Sequence, residues 1–261
     1  MKLLGGELLE PIAEFPAIGL DEIIAAADLQ TRRDRKYLLP AKTATKLLSG
    51  VGARALEIDG LRSFRYESVY FDTDGRDSYL LAARQRPRRF KVRTRTYLDS
   101  DECMLEVKVR DHRGNTVKHR HPYDMGTRDV LNGHGADFVA AIEAARPYVD
   151  ALQPVLTVSY RRSTLVLDDD QARITIDVDL TWEHDGAGLV DLPDWVIIET
   201  KTPGHTCSVD RALWRLGHRP VGISKFATGL AAVEPHLPSN KWSRVIRRHL
   251  LAPASLGIPL I

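Results

Sequence analysis

Phe90 to Tyr97, FKVRTRTY, combines the β-branched and aromatic composition of a strand with a cation at every second position from Lys91 to Arg95. Side chains alternate across a strand, so Lys91, Arg93 and Arg95 share one face with Tyr97 next in line, while Val92, Thr94 and Thr96 share the other. A ladder of like charges repels itself and calls for an anion beside it. No Asp or Glu occurs from Ser78 to Leu98, whereas Arg84, Arg86, Arg88 and Arg89 run up to the strand. The whole chain of 261 residues carries a formal charge of only +2, so positive charge is gathered in one place, as an anion site in a near-neutral protein requires.

The same alternation recurs elsewhere. In MLEVKVR, Leu105, Val107 and Val109 oppose Glu106, Lys108 and Arg110; in ARITIDVDL, Ile174, Ile176 and Val178 oppose Arg173, Thr175, Asp177 and Asp179. In VIIETK, Glu199 and Lys201 share a face; in VLTVSYRR, Thr157, Ser159 and Arg161 oppose Leu156, Val158 and Tyr160. DRKYLLP, ESVYFDT and TVKHRH also read as strands, with turns at DTDGRD, HRGN and DDDQ. Helices are expected at AKTATKLLSGV, at GADFVAAIEAARPYV up to Pro147, at SVDRALWRLG with Ser208 as N-cap, and at KFATGLAAVE capped by Ser224. Roughly eight strands with a few helices predict an α+β fold: a closed antiparallel eight-stranded β-barrel with helices packed outside. A hydrophobic content of 43% supplies a core, and no repeat or linker divides the chain. The expectation is one domain over 1–261, with a core of about 31–233 and a helical tail at 234–261. Helices outside would cover the apolar faces and turn the charged faces inward, giving a basic, water-filled tunnel.

A polyanion would neutralise such a lumen. Arg binds phosphate oxygens bidentately and Lys supplies a point charge, a combination suited to a chain of phosphates, while a carboxylate among them suits Mg²⁺ or Mn²⁺ bridging phosphate oxygens. The fragments DRKYLL, VYFDTDGRDSYL, KVRTRTY, LEVKVR, SYRRS, RITIDVDL, IIETK and ISKFATG stand in the order seen in the VTC domain, which the chain resembles over about Thr31 to Val233. That family is the polyphosphate polymerase branch of the triphosphate tunnel metalloenzymes. The resemblance implies binding of a nucleoside triphosphate such as ATP, help from Mn²⁺ or Mg²⁺, and transfer of the terminal phosphoryl group to polyphosphate. By motif it assigns phosphate contacts to Lys36, Arg93, Arg95, Arg161 and Lys225, and a metal contact to Glu199. Strand position adds Lys108, Lys118 and Arg173 as phosphate contacts; Glu106 and Asp34 are further metal candidates. Related hydrolytic tunnel enzymes begin with ExExK, where this chain has Arg32, Asp34 and Lys36, a departure that favours the polymerase branch over a plain triphosphatase.

Other features read more plainly. Arg84, Arg86, Arg88 and Arg89 suit a solvated loop or tunnel mouth; Lys201 and Asp177 are either wall salt-bridge partners or ligand contacts. Asp168, Asp169 and Asp170 lack calcium-loop spacing and read as a turn. His112, His119 and His121 have no matching ligand set, and Trp182, Trp195, Trp214 and Trp242 read as packing residues. Tyr97 is the one aromatic on the cation ladder, so nucleic acid is not expected as partner. Cys103 and Cys207 show no metal or disulfide spacing, which suits a reducing, cytoplasmic setting. The N-terminus, interrupted by Gly5, Gly6 and Pro11, does not read as a signal peptide, and no segment reads as a membrane span. Hydrolysis of triphosphate in the same tunnel, or a non-catalytic polyphosphate-binding barrel, are the competing functions.

Overall fold

The computed structural model describes residues 10–26, 33–111, 114–184 and 188–250. The N-terminal segment, Arg32, His112 and the tail beyond Leu250 lie outside the described residues. The strands are β1 (Ala17–Ile18), β2 (Arg33–Pro40), β3 (Arg54–Leu56), β4 (Phe64–Asp72), β5 (Phe90–Tyr97), β6 (Glu102–Arg110), β7 (Thr116–Tyr123), β8 (Gln153–Leu167), β9 (Ala172–His184), β10 (Gly188–Asp191) and β11 (Trp195–Thr202). The helices are α1 (Leu20–Ala26), α2 (Ala41–Leu48), α3 (Asp77–Ala83), α4 (Gly133–Ala140), α5 (Ser208–Arg215), α6 (Lys225–Val233) and α7 (Ser243–Val245), the last running into a π-turn at Ile246–Leu250. The class is α+β with an antiparallel sheet, as the sequence implied. Its main hydrogen-bonded order is β2-β11-β9-β8-β4-β5-β6-β7, with β2 and β7 as end strands.

Backbone packing divides the chain into two compact units, residues 1–65, 160–180 and 192–222, and residues 66–159, 181–191 and 223–261. In the first, β2, β11 and β9 lie side by side, β3 pairs with the end of β8, and β1 pairs in parallel with β3. Their apolar faces, including Tyr37, Leu39, Ile174, Ile176, Val196 and Ile198, pack against Ala44, Leu47 and Leu48 of α2 and Val209 and Leu213 of α5. The α2 contacts recur at three- and four-residue intervals, which is the helical period. At α5 the N-cap is Cys207, one residue before the expected Ser208; Asp210 closes a capping box, and Ser208 instead donates its backbone N–H and hydroxyl to Asp170 Oδ2 at 2.7 and 2.5 Å. The acidic turn thus serves a helix N-terminus, where its charge is favoured.

In the second unit, Phe71, Val92, Leu105 and Val107 pack with Val139 of α4 and with Ile142 and Ala145 beyond it. Helix α4 is shorter than expected: it ends at Ala140, and Pro147 opens a separate 3₁₀ turn, Arg146–Ala151. Helix α3 falls where the sequence suggested only a turn. Buried Asp72 accepts from Thr73 and Ser78 N–H through Oδ1, both at 2.8 Å, and from Tyr79 N–H through Oδ2 at 2.9 Å. A carboxylate reached from the preceding strand therefore satisfies the free donors of the first turn. Ser224 caps α6 as expected, accepting from Ala227 N–H at 3.2 Å. Both cysteines are buried free thiols, and Trp182 and Trp242 are buried packing residues.

Candidate functional site

Each unit carries its own cluster of charge on the strand face opposite its helix-covered core. In the second unit, antiparallel register sets the cations of three strands in rows. Lys91 of β5 lies opposite Lys108 of β6, which lies opposite Lys118 of β7; one step along, Arg93, Glu106 and Arg120 are aligned in the same way. Adjacent strands are about 4.8 Å apart, so the lysine row sets like charges close together.

The second row is neutralised at its centre. Glu106 is fully buried; its Oε2 accepts from Arg93 Nε at 2.9 Å and Nη2 at 2.6 Å, while Oε1 faces Arg120 Nε at 3.1 Å and Lys118 Nζ at 3.6 Å. Burial would push this carboxyl up, but Arg93, Arg95 and Lys118 prevail and hold it well below the usual carboxylate range. Arg93, itself buried, also donates to Tyr70 Oη at 3.0 Å. The lysine row behaves in the opposite sense. The charge of Arg93, then burial, then Arg95 and Lys91 push Lys108 well below its ordinary value, and burial together with Arg120, Arg95 and Arg93 brings Lys118 down to about 8 against the pull of Glu106.

The N-terminus of α6, whose Lys225 the sequence resemblance assigned to phosphate, sits over one end of this face. Phe226 stacks on Tyr70 with ring centroids 5.0 Å apart, and Lys91 Nζ lies 5.2 Å from the Phe226 ring and 3.1 Å from Ser224 Oγ. Lys225 is thereby placed one residue from the contact to Lys91, its carbonyl held by Trp182 Nε1–H at 2.6 Å. Gly229 allows that approach, since a Cβ there would stand 2.0 Å from Trp182 Cδ1.

In the first unit, register aligns Lys36 with Glu199 and Thr175, and Asp34 with Lys201 and Arg173. Both carboxylate oxygens of Glu199 turn to ammonium groups, Oε1 to Lys36 Nζ at 3.9 Å and Oε2 to Lys201 Nζ at 3.4 Å. Burial lowers Lys201 to about 8, with Arg162 and Arg173 acting against Glu199 and Asp34. Lys201 and Asp177 both enter wall ion pairs, Lys201 with Glu199 and Asp177 by accepting from Arg162 Nε at 2.6 Å and Nη2 at 2.8 Å. Burial disfavours the Arg162 charge, but Asp177 outweighs it and holds the guanidinium protonated.

Among the sequence-derived candidates, Asp34, Lys36, Arg173 and Glu199 therefore share the first unit's charged face, and Arg93, Arg95, Glu106, Lys108 and Lys118 share the second's. Arg161 differs: its Nε lies 3.4 Å from Ser63 Oγ, and strand alternation puts it on the side opposite Arg162. Arg162, over the Tyr160 ring at 5.3 Å, is the arginine on the Asp177 face. Sequence reading also passed over Arg120 and Tyr70. The signal for Arg162 was the pair Tyr160 and Arg162 in SYRRS, two residues apart and so on one face. Arg84, Arg86 and Arg88 are exposed, and Arg88 faces Glu143 at 3.7 Å on the surface. His121 stacks on Phe138. Among the described residues no group of three or more His, Cys, Asp or Glu side chains is placed to hold a metal, and no helix is long and apolar enough to cross a membrane.

Comparison with known protein families agrees with the sequence resemblance. The VTC domain model matches residues 31–234. Comparison with curated proteins returns no match. Among solved structures, a Hippeastrum protein named for adenylyl cyclase and described as having a dominant triphosphatase activity is 18% identical with a TM-score of 0.45, covering 75% of this chain and 93% of its own. A Vibrio parahaemolyticus protein named for adenylate cyclase is 11% identical with a TM-score of 0.37, covering 78% and 87%. A conserved Pyrococcus furiosus protein is 16% identical with a TM-score of 0.34, covering 72% and 88%. The family match spans most of the chain and includes every strand that carries the charged faces: this chain belongs to the VTC domain family.

Proposed function

We propose that this protein is a polyphosphate polymerase that passes the terminal phosphoryl group of a nucleoside triphosphate, ATP, to the end of a growing polyphosphate chain. The observation that carries this reading is the lysine row Lys91, Lys108 and Lys118, three lysines aligned across adjacent strands beside a guanidinium row only partly neutralised by Glu106. Such a face is costly without an anion and is relieved by one bearing several charges. In the transfer, a terminal oxygen of the polyphosphate attacks the γ-phosphorus, the bond to the β-bridging oxygen breaks, and the nucleoside diphosphate leaves with the electron pair. Catalysis is positioning and charge stabilisation, with no covalent enzyme intermediate. Lys36, Arg93, Arg95, Lys108, Lys118, Arg173 and Lys225 are the proposed phosphate contacts, and Arg162 takes the place that motif alone assigned to Arg161.

The carboxylates bear on the metal. Glu106 is ringed by Arg93, Lys118 and Arg120, and Asp177 is held by Arg162, while Glu199 faces the ammonium groups of Lys36 and Lys201 at 3.9 and 3.4 Å. Glu199 is the carboxylate that would hold Mg²⁺ or Mn²⁺ brought in with the phosphates. The ion, when bound, would offset charge on the phosphates. The test is incubation with ATP and either ion, followed by separation of polymeric from free phosphate. Long polymer supports the polymerase, orthophosphate alone would make the protein a triphosphatase, and tight tripolyphosphate binding without turnover would make it a binding module. Glu199→Gln should abolish metal-dependent turnover while tripolyphosphate binding survives; normal turnover at ordinary metal concentrations would remove Glu199 from the mechanism.

A further inference from the structure

The cation rows of the second unit do not stop at the end of β5. The β5–β6 pairing ends at Phe90 opposite Val109, and the next residues outward are Arg89, just before β5, and Arg110, the last residue of β6. Alternation puts Arg110 on the face of Lys108, and Arg89 lies near enough to Arg110 for the two charges to repel. From Arg95 to Arg89 is six residues, about 20 Å of strand, longer than a triphosphate can touch at both ends. Around this outer row the chain exposes Arg84, Arg86 and Lys241, and Arg89 donates to the Arg86 carbonyl at 2.9 Å. Burial and then Arg110 lower Arg89, while burial and then Arg89 and Arg110 lower Lys241, as expected of cations crowded together. The exposed large apolar side chains among the described residues are Leu20, Ile24, Leu61, Val130, Leu189 and Leu216. None belongs to this stretch, and none is an aromatic platform for bases or an anchor for lipid.

We propose that Arg84, Arg86, Arg89, Arg110 and Lys241 form a surface track on which a polyphosphate chain held at the lysine row continues outward, so that this protein grips long chains more tightly than tripolyphosphate. The inference rests on the polyphosphate reading above and adds to it a chain-length preference with its own residues. The experiment compares wild type with an Arg84→Ala/Arg86→Ala/Lys241→Ala variant, all exposed positions, and with an Arg84→Lys/Arg86→Lys variant that keeps the charge. Affinities for tripolyphosphate and for long-chain polyphosphate are measured against salt concentration, with melting curves as a check on folding. The triple variant should bind tripolyphosphate within about twofold of wild type but long chains at least about tenfold more weakly, and its salt dependence for long chains should be shallower by about 2 on a log–log scale, at roughly 0.7 for each of three lost contacts. The charge-keeping variant should bind long chains as wild type does. Unchanged long-chain affinity in the triple variant, with tripolyphosphate still bound, overturns the track and leaves the proposed function standing. Failure of wild type to bind tripolyphosphate overturns the proposed function itself. Single-stranded DNA of equal length binding wild type as tightly as polyphosphate, and weakened equally in the triple variant, would also overturn the track as a polyphosphate device.

Discussion

Glu106→Gln separates a charge organiser from a metal ligand. The wild-type carboxylate is fully buried against Arg93, whose side chain is 7% exposed, and also faces Arg120 and Lys118. Glutamine keeps the shape and one acceptor for Arg93 but leaves a buried guanidinium without its counter-charge. Breaking such a buried pair costs about 3–5 kcal/mol. At roughly 2–4 °C per kcal/mol for a chain of this size, the ligand-free variant should melt about 6–20 °C below wild type. The same change makes the face more positive, so tripolyphosphate should bind the variant more tightly and recover part of the loss; at 100 times Kd a ligand restores about 2.7 kcal/mol. The sign of the acid response is fixed too. Because the folded carboxyl is depressed below its ordinary value of 4.5, wild-type stability from Glu106 is complete above that pH and drains away below it, whereas the variant lacks that component. Differential scanning fluorimetry with and without tripolyphosphate, across pH 3–7, reads all of this. Melting of the ligand-free variant within a degree of wild type, or tripolyphosphate binding weaker than wild type, would refute the reasoning. A loss of response to Mn²⁺ alone would instead assign Glu106 to a metal.

The two arginines of SYRRS should behave differently in urea unfolding: Arg162→Ala strips buried Asp177 of its bidentate partner and should cost about 3–5 kcal/mol, whereas Arg161→Ala should cost no more than about 1 kcal/mol. Tripolyphosphate affinity should fall as pH rises through about 8, where Lys118 and Lys201 lose their charge, and calorimetry in buffers of different ionisation enthalpy should show proton uptake on binding near that pH. Ligand-free stability should move the other way, rising from about 8 towards 10.5, because a depressed lysine costs the folded state only while it is protonated. Gly229→Ala would press a Cβ into Trp182 and shift the α6 N-terminus with Ser224 and Lys225; an overpacking penalty of about 1–3 kcal/mol with weaker tripolyphosphate binding is expected, and unchanged melting would show that α6 has room to give.

Residue alternation alone was enough to mark FKVRTRTY as a strand with one cationic face and to find most of the strands that share its pattern, because a strand's period of two is a local property. Ser224 as the α6 cap was legible for the same reason: the donor it satisfies lies three residues away. The order of eight short fragments was enough for the family. What local pattern cannot state is which strand lies beside which and in what register. Tertiary structure made Lys91, Lys108 and Lys118 one row and put Glu106 among three cations, since a shift of a single residue would have dispersed both arrangements. It also chose Arg162 over Arg161: alternation separates the two but does not say which side meets Asp177 on the neighbouring strand. Helix α3 escaped the sequence because its first turn is satisfied by Asp72, a carboxylate belonging to the preceding strand, and α6 reached the cation face only because Phe226 found Tyr70 more than 150 positions earlier in the chain. Backbone preference decides what a segment is; the burial of side chains brought from far along the chain decides what it touches.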